Sequence, residues 1–224
     1  MKTIILKLGG SIFMPEHVDT DYLLKFKKLI LDYSSKYRFI IIVGGGHTCR
    51  KYQDALRVIA DVTDEQIDWM GIHVTELNAQ LLKLMFERES HPYIITDPTK
   101  PVDENINIII GAGYKPGWST DYDAMLLAKQ FDNKEIVVLS NIKQIYSDDP
   151  KKNPDAKPID NMKWKDLAEI VGEKWTPGLN VPMDPSAVKE GIEQKVKVVF
   201  ADGRDLDNFK KILDGKDFIG TTIN

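Results

Sequence analysis

Short apolar runs of strand length alternate with amphipathic stretches of helical length along this chain of 224 residues. The runs rich in Ile, Val and Leu predict strands over Thr3–Leu8, Phe39–Val43, Pro92–Thr96, Asn107–Ile110, Glu135–Ser140 and Lys197–Ala201. Helical spacing of apolar residues predicts helices over Tyr22–Tyr37, Asp64–Glu89 (with a break near Gly71 left open), Thr120–Gln130 and Pro185–Gln194. This alternation predicts an α/β fold whose mainly parallel sheet is covered by helices on both faces.

Composition limits the classes of function. The formal net charge of −4 argues against a protein whose main task is to neutralise nucleic acid or to coat an anionic membrane. Cys49 is the single cysteine, so no disulfide can form within the chain. No apolar run approaches the ~20 residues of a membrane helix, and no signal peptide is apparent. We therefore expect a cytoplasmic protein with neither nucleic-acid nor membrane partners.

The first strand ends in a lysine and two glycines. Parallel sheets bind ligands beyond the carboxyl ends of their strands, so strand exits are the places to search. Lys7 stands inside the strand, before Gly9, Gly10 and Ser11. A lysine in a buried strand is costly unless it is paired, and it could supply a fixed charge over phosphate oxygens. A lysine whose side chain reaches solvent is an equally good interpretation of this segment alone.

Three glycines follow the second strand. Gly44, Gly45 and Gly46 allow an anion to approach the backbone, and Arg50 one helical turn later could clamp a phosphate. The segment lacks the GxxxxGK[ST] pattern of a Walker loop, and Cys49 replaces the third glycine of the dinucleotide pattern. A phosphate site is therefore predicted without a standard nucleotide motif, and an ordinary surface arginine is the alternative interpretation of Arg50.

A third exit follows the strand that ends near Gly111. Ser119 and Thr120 could cap the next helix or bind a phosphate at its N-terminus. Asp121 suits the first turn of a helix for electrostatic reasons alone. Its functional interpretation is a carboxylate that orients lysines or a metal at the point of phosphate transfer.

The fourth exit begins at Ser140 and continues as a polar, proline-containing stretch. Asn141, Tyr146, Asp149 and Lys152 could together hold a nucleotide base and ribose, although each is weak singly. No group of His, Cys and carboxylate residues in the chain has metal-ligand spacing. We therefore predict no metal site built from side chains.

The order of these four exits resembles the amino acid kinase superfamily, and within it the uridylate (UMP) kinases of the archaeal type. The resemblance covers nearly the whole chain. It rests on KLGGS from residue 7, VGGGHTCRKY from 43, DWMGIHVTELNAQLL from 68, STDYDAMLLA from 119, LSNIKQIYSDDPKKNPDAKPI from 139, MDPSAVK from 183 and GTTI from 220. It implies a three-layer α/β/α sandwich formed by a single domain over residues 1–224. The N-lobe (about 1–133) would hold the phosphate acceptor and the C-lobe (about 134–224) would hold ATP.

The resemblance also implies roles for individual residues. Lys7 and Asp121 would be catalytic, with Asp121 organising the catalytic cations. The acceptor would contact Gly44, Gly45, Gly46, Arg50, Asp68, Gly111, Ser119 and Thr120. ATP would contact Lys7, Gly9, Gly10, Ser11, Ser140, Asn141, Tyr146, Asp149 and Lys152. The implied reaction converts UMP and ATP to UDP and ADP with Mg²⁺, in a homo-oligomer for which the family suggests a hexamer.

The chain departs from the family pattern beside the acceptor site. Tyr122 and Asp123 are bulkier and more acidic than the small pair that usually follows the family's catalytic aspartate, and Trp118 would place a large indole beside the acceptor pocket. The segment Lys174–Pro182 is longer and richer in proline than the family pattern. A kinase for another phosphate monoester such as isopentenyl phosphate therefore remains an alternative, which His47 near the glycines keeps open. A non-catalytic protein that stores or senses a nucleotide or oxyanion is the other.

Overall fold

The computed structural model describes residues 1–103, 105–148, 150, 152–173 and 181–224. Its strands are β1 Lys2–Leu8, β2 Tyr37–Val43, β3 Ile108–Gly111, β4 Glu135–Ser140, β5 Ile145–Tyr146, β6 Pro158–Ile159, β7 Asn161–Met162, β8 Lys197–Asp202 and β9 Thr221–Ile223. Its helices are α1 Gly10–Phe13, α2 Thr20–Tyr33, α3 Gly46–Ile59, α4 Asp64–Phe86, α5 Thr120–Gln130, α6 Trp164–Val171, α7 Pro185–Gln194 and α8 Leu206–Leu213, with a 3-10 turn at Glu87–Glu89.

Seven strands form one sheet in the order β3-β2-β1-β4-β8-β9-β7, and β5 and β6 form a separate two-stranded sheet. The β8–β9 pair is antiparallel, whereas β3, β2, β1, β4 and β8 run parallel to one another. The chain leaves β1 towards β2 and later returns on its other side as β4, so Lys7 stands between Ile42 and Val138. This reversal of strand order opens a crevice at the carboxyl ends of the strands, where ligands bind in open α/β sheets.

Two apolar layers cover the sheet. On one face Leu6 and Leu8 of β1 pack in a cluster with Phe26 of α2 and Leu82 of α4. On the other face Ile5 belongs to a cluster with α5, α6 and α7. Alternation along β1 places Lys7 on this second face, beneath α5. The predicted α/β/α arrangement is confirmed.

Several predicted elements need correction. The helix expected to end at Tyr37 ends at Tyr33, because Tyr37 is already paired in β2. Helix α4 is unbroken at Gly71, where the missing side chain leaves room for Gln53 of α3. The predicted strand Pro92–Thr96 is wrong, since the described residues there form only an isolated bridge from Ile95 to Gly111. Helices α5 and α7 and strand β4 have the predicted bounds.

No helix within the described part of the chain is both long enough and apolar enough to cross a bilayer.

Candidate active site

A largely buried ion pair occupies the crevice at the end of β1. The Nζ atom of Lys7 lies 2.9 Å from Oδ1 of Asp121, and their side chains are 16% and 12% exposed. β1 supplies the lysine and the first turn of α5 supplies the carboxylate. Because both side chains are largely removed from solvent, either charge would cost free energy without its partner. The alternative interpretation, in which the Lys7 side chain simply reaches solvent, is therefore excluded. The cation is held by one carboxylate and stands at the mouth of the sheet.

Two helix N-termini meet beside this ion pair. Ser119 is the N-cap of α5, and its hydroxyl oxygen accepts the backbone N–H of Tyr122 at 3.2 Å. The same hydroxyl donates to Oδ2 of Asp184 at 2.5 Å. Asp184 in turn caps α7 by accepting the N–H of Ser186 at 2.7 Å. The positive ends of α5 and α7 therefore lie together, an arrangement that favours bound anions.

Close backbone packing shapes the turn Gly44–Gly46, which we name the glycine turn. A Cβ atom at Gly10 would come within 2.3 Å of the nitrogen of Gly46 and 2.4 Å of the oxygen of Gly44. Gly46 has φ +67° and would also bring a Cβ within 2.7 Å of Gly10. The two glycine segments therefore touch through bare backbone, which brings the exits of β1 and β2 together.

A buried asparagine on α4 fixes the glycine turn from below. The Nδ2 atom of Asn78 donates to the carbonyl oxygens of Gly44 at 2.9 Å and Gly45 at 3.2 Å. The N–H of Gly44 donates to the carbonyl oxygen of Leu8 at 2.9 Å, so a ligand at this turn could be bound by the N–H groups of Gly45 and Gly46. The sequence reasoning missed Asn78, because an Asn within a long helix gives no signal of its target.

Helix α3 begins at the glycine turn and carries Arg50 one turn further on, exposed to solvent. Its neighbour Cys49 packs against Gly45, whose added Cβ would lie 2.4 Å from the cysteine Cβ. Burial raises the pKa of the Cys49 thiol to about 11, although Arg50 opposes the shift. Cys49 is therefore a packed side chain of this turn.

Residues 112–119, which we name the aromatic loop, have three backbone N–H groups that donate to side chains. Gly113 donates to Oγ1 of Thr75 at 2.8 Å, and Gly117 donates to Oδ2 of Asp68 at 2.7 Å. The third N–H, from Tyr114, reaches Asp123 at 3.2 Å. Asp68 thus holds the loop itself, a contact that the sequence did not reveal.

Aromatic side chains cluster on this loop. The rings of Trp118 and Tyr122 cross edge-on with centroids 4.5 Å apart, and Tyr114 lies edge-on to Trp118 at 5.6 Å. The Nζ atom of Lys115 stands 3.8 Å from the centroid of the Trp118 ring, a cation–π contact.

Gly111 has a packing reason for lacking a side chain. It is the buried last residue of β3, and an added Cβ would fall 2.4 Å from Cδ1 of Ile42. Its predicted contact with a substrate stays a prediction.

The fourth exit lies directly against the first. The N–H of Gly9 donates to the carbonyl of Leu139 at 2.9 Å, just before Ser140. The carbonyl of Asn141 accepts from Arg204 at 2.9 Å, and that arginine also pairs with Asp202. Ser140 and Asn141 therefore border the crevice.

The remaining residues predicted to bind ATP are spread along the chain. Ser11 is in α1, Tyr146 is in β5, Lys152 is exposed in a turn, and Asp149 lies outside the described residues. Their roles stay predictions.

Two further carboxyl groups surround Asp121. Burial raises the pKa of Asp123 well above its usual range, and the nearby Asp121 and Asp184 add to this rise. Burial likewise raises the pKa of Asp184, although Ser119 and Ser186 oppose it by hydrogen bonding. Within the described ranges, no group of three His, Cys, Asp or Glu residues has the geometry to hold a metal ion.

The structure therefore brings most of the predicted site together. Lys7 meets Asp121 directly, Gly10 touches the glycine turn, and Gly9 reaches the exit of β4. A fixed cation, free backbone N–H groups and two helix N-termini converge on one crevice. This arrangement suits the binding and transfer of phosphate groups.

The known proteins that resemble this chain include several uridylate kinases. A uridylate kinase of Methanospirillum hungatei is 33% identical over 226 residues, covering 100% of this chain and 95% of its own. A uridylate kinase of Thermoplasma volcanium is 32% identical over 230 residues, covering 99% of this chain and 97% of its own.

A crystal structure of a uridylate kinase from Archaeoglobus fulgidus superposes with a TM-score of 0.85 at 28% identity, covering all of both chains. A UMP kinase structure from Bacillus anthracis has a TM-score of 0.80 at 20% identity, covers 100% of this chain and 96% of its own, and shares the fold. The model of the amino acid kinase family matches residues 2–202. The chain belongs to the amino acid kinase family.

Proposed function

We propose that this protein transfers the terminal phosphoryl group of ATP to UMP, giving UDP and ADP. The observation that carries the proposal is the largely buried Lys7–Asp121 pair between the glycine turn and the exit of β4. The relatives named uridylate kinase match nearly the full length of the chain and support UMP as the acceptor.

The acceptor would lie on the side of β2 and β3. Backbone N–H groups of Gly45 and Gly46 would bind its phosphate, and Arg50 would clamp it. Gly44, whose N–H donates to Leu8, would shape the turn. Ser119 and Thr120 at the start of α5 would complete the phosphate site. Asp68 would reach the ribose. Because Asp68 also accepts the N–H of Gly117, the aromatic loop would lie beside the base. Gly111 would shape this pocket from within the sheet.

ATP would lie on the side of β4. Gly9, Gly10 and Ser11 would face its phosphates, and Ser140 and Asn141 would line the nucleotide. We extend this site to Tyr146, Asp149 and Lys152, which continue the chain beyond the exit of β4. These roles divide the chain into an acceptor lobe of about residues 1–133 and an ATP lobe of about residues 134–224.

The reaction would need positioning and charge neutralisation more than acid–base chemistry. An oxygen of the UMP phosphate attacks the γ-phosphorus, and the bond from that phosphorus to the oxygen of the departing ADP breaks. The attacking oxygen is already anionic, so no general base is required. Lys7 would offset the negative charge that gathers between two anions, and Asp121 keeps its ammonium group in place.

We propose that Mg²⁺ enters on the phosphates of ATP. The described side chains offer no ready cluster of three ligands, and Mg²⁺ commonly binds through one or two carboxylates together with substrate phosphates. Asp121 and Asp184 are the carboxylates placed to assist. The ion would supply further neutralisation of phosphate charge.

We also propose a homo-oligomer built on α4. Its outward side exposes Trp69, Leu77 and Leu84, of which Leu77 is 66% exposed. These residues recur at helical spacing, and a second copy of the chain would cover them. A hexamer is the form implied by the family resemblance. The proposed substrates are metabolites of the cytoplasm, where we expect the protein to work.

A coupled assay of ADP release across several acceptors tests the proposed reaction. We expect turnover with UMP at least tenfold above CMP, dCMP and isopentenyl phosphate, because the aromatic loop and Asp68 would fit a nucleoside and not an isoprenoid chain. Turnover only with isopentenyl phosphate would contradict the assignment. Tight nucleotide binding without turnover of any acceptor would indicate a storage or sensor protein instead.

A further inference from the structure

Arg204 is an exposed arginine to which the proposed reaction gives no role, yet it joins the exits of β8 and β4. Its guanidinium group makes a two-atom contact with Asp202, the last residue of β8. Nε donates to Oδ1 and Nη2 donates to Oδ2, both at 3.0 Å. Nη2 also donates to the carbonyl oxygen of Asn141 at 2.9 Å. A side chain that follows β8 therefore holds the main chain that follows β4.

The contact with Asn141 begins where the sheet ends. The β4–β8 ladder closes at the pair Ser140–Asp202, and the N–H of Gly203 adds a bond to the carbonyl oxygen of Ser140 at 2.8 Å. Asn141 is the next residue, exposed and outside β4. Backbone pairing thus fixes the chain as far as Ser140, whereas the carbonyl of Asn141 is held by a side chain.

The turn between β4 and β5 is held at both of its ends. At its far end the N–H of Ile145 in β5 donates to Oγ1 of Thr221, a buried residue of β9, at 2.8 Å. At its near end Arg204 holds Asn141. Since Asn141 stands at one end of this turn and Tyr146 follows the other, the two anchors set the relative placement of residues proposed to bind ATP.

The ion pair of Arg204 is a minor contributor to the stability of the fold. The arginine side chain is 57% exposed, so solvent screens its attraction to Asp202. The planar guanidinium nevertheless keeps a fixed orientation, because Asp202 binds it through two atoms and also accepts the backbone N–H of Arg204 at 3.0 Å. The arrangement fixes a direction of the chain more than it stabilises the fold.

We propose that Arg204 is a positioning residue for the nucleotide that binds at the exit of β4. Held by Asp202, its guanidinium group fixes the carbonyl of Asn141 and so the start of the turn between β4 and β5. Without this contact the turn would have to be ordered when the nucleotide binds, and that ordering would cost affinity. This role rests on the proposed ATP site, but ADP binding tests it without any turnover of UMP.

Titration calorimetry with ADP is the direct test. Arg204→Ala should bind ADP about tenfold more weakly than the wild type, because a charge-assisted hydrogen bond to the turn is lost. Arg204→Lys keeps the charge but not the two-atom contact with Asp202, so its affinity should be intermediate. Arg88→Ala is the matched control, since Arg88 is exposed in the 3-10 turn after α4, and it should bind ADP like the wild type. Wild-type affinity in Arg204→Ala would overturn the proposal.

A double variant tests whether Asp202 acts through Arg204. Asp202→Asn alone should weaken ADP binding, and its combination with Arg204→Ala should bind ADP no more weakly than Arg204→Ala does. Additive losses of affinity in the double variant would show that the two residues act separately, which would reject Asp202 as the anchor.

Kinetics separate positioning from a general loss of stability. Arg204→Ala should raise KM for ATP about tenfold while kcat and KM for UMP stay close to the wild-type values. Equal rises in both KM values, or a fall in kcat alone, would reject the role. If Arg204→Ala does not fold, the same split in Arg204→Lys decides the question. Unchanged ADP affinity alongside UMP turnover would defeat this inference alone, whereas weakened ADP binding in the variant without UMP turnover in the wild type would defeat only the proposed function.

Discussion

The glycine turn and the aromatic loop are both hydrogen-bonded to helix α4, yet they are held in different ways. Asn78 of α4 binds the turn, while Thr75 and Asp68 of α4 bind the loop. The turn owes its shape to backbone packed against backbone at Gly10, so a side chain is excluded sterically. The loop owes its position to separate side-chain hydrogen bonds. Phosphate binding is thus built into the fold, whereas acceptor selection depends on contacts that single substitutions can change.

Lys7, which belongs to neither region, gives the largest expected effect. Lys7→Ala should lower kcat roughly 30- to 1000-fold, equal to about 2–4 kcal/mol, because one charge-assisted contact to the transferring group is lost. Steady-state kinetics with UMP should show a much smaller change in UMP affinity. Lys2→Ala, at the exposed other end of β1, is the control. An unchanged turnover rate in Lys7→Ala would reject the catalytic role.

Gly10→Ala tests whether the turn is sterically fixed. The new Cβ would clash with backbone atoms of Gly44 and Gly46, which no rotamer change can relieve. We expect a loss of about 2–3 kcal/mol in the free energy of unfolding, measured by urea denaturation. A variant as stable as the wild type would mean that the turn is as adaptable as the loop.

Asp68→Ala releases the aromatic loop at Gly117 without disturbing the turn. The lost contact is worth about 1.5 kcal/mol, so KM for the acceptor should rise roughly tenfold. The stability of the fold should change little, since Gly117 is exposed. Kinetics and thermal melting on the same preparation check both halves of this expectation. A loss of stability as large as that of Gly10→Ala would mean that the aromatic loop is as important to the fold as the glycine turn.

Gly117→Ala is the smallest expected change and the counterpart of Gly10→Ala. Gly117 has φ +82°, but an added Cβ would meet nothing within 4 Å. Only conformational strain of about 1 kcal/mol should result, as a small fall in melting temperature. If this variant destabilised the protein more than Gly10→Ala, the distinction between a sterically fixed glycine turn and an adaptable aromatic loop would be wrong.

Local patterns predicted the parts of the molecule that depend on local chemistry. The cap at Ser119 and the bounds of α5 follow from residues adjacent in sequence. The strand exits follow from apolar runs that end in glycine. The pairing of Lys7 with Asp121 joins distant segments, and the sequence indicated only that Asp121 could orient lysines or a metal.

The sequence could not reveal contacts between distant segments. Asn78 lies 34 residues from Gly44, and Ser119 lies 65 residues from Asp184. In sequence, Asn78 looks like an ordinary helical residue and Asp184 like an ordinary capping residue. The partner of each can be identified only in the assembled fold. The predicted strand Pro92–Thr96 failed for a related reason, because its apolar residues pack at the sheet edge with only an isolated bridge at Ile95.

The most direct measurement of the central claim is phosphorus NMR of purified protein with ATP, Mg²⁺ and UMP. The account predicts that the terminal phosphate of ATP reappears as the β-phosphate of UDP, with ADP formed in equal amount, and that Lys7→Ala slows this transfer at least 30-fold. ADP accompanied by free phosphate and no UDP, or a wild-type rate in Lys7→Ala, would contradict it.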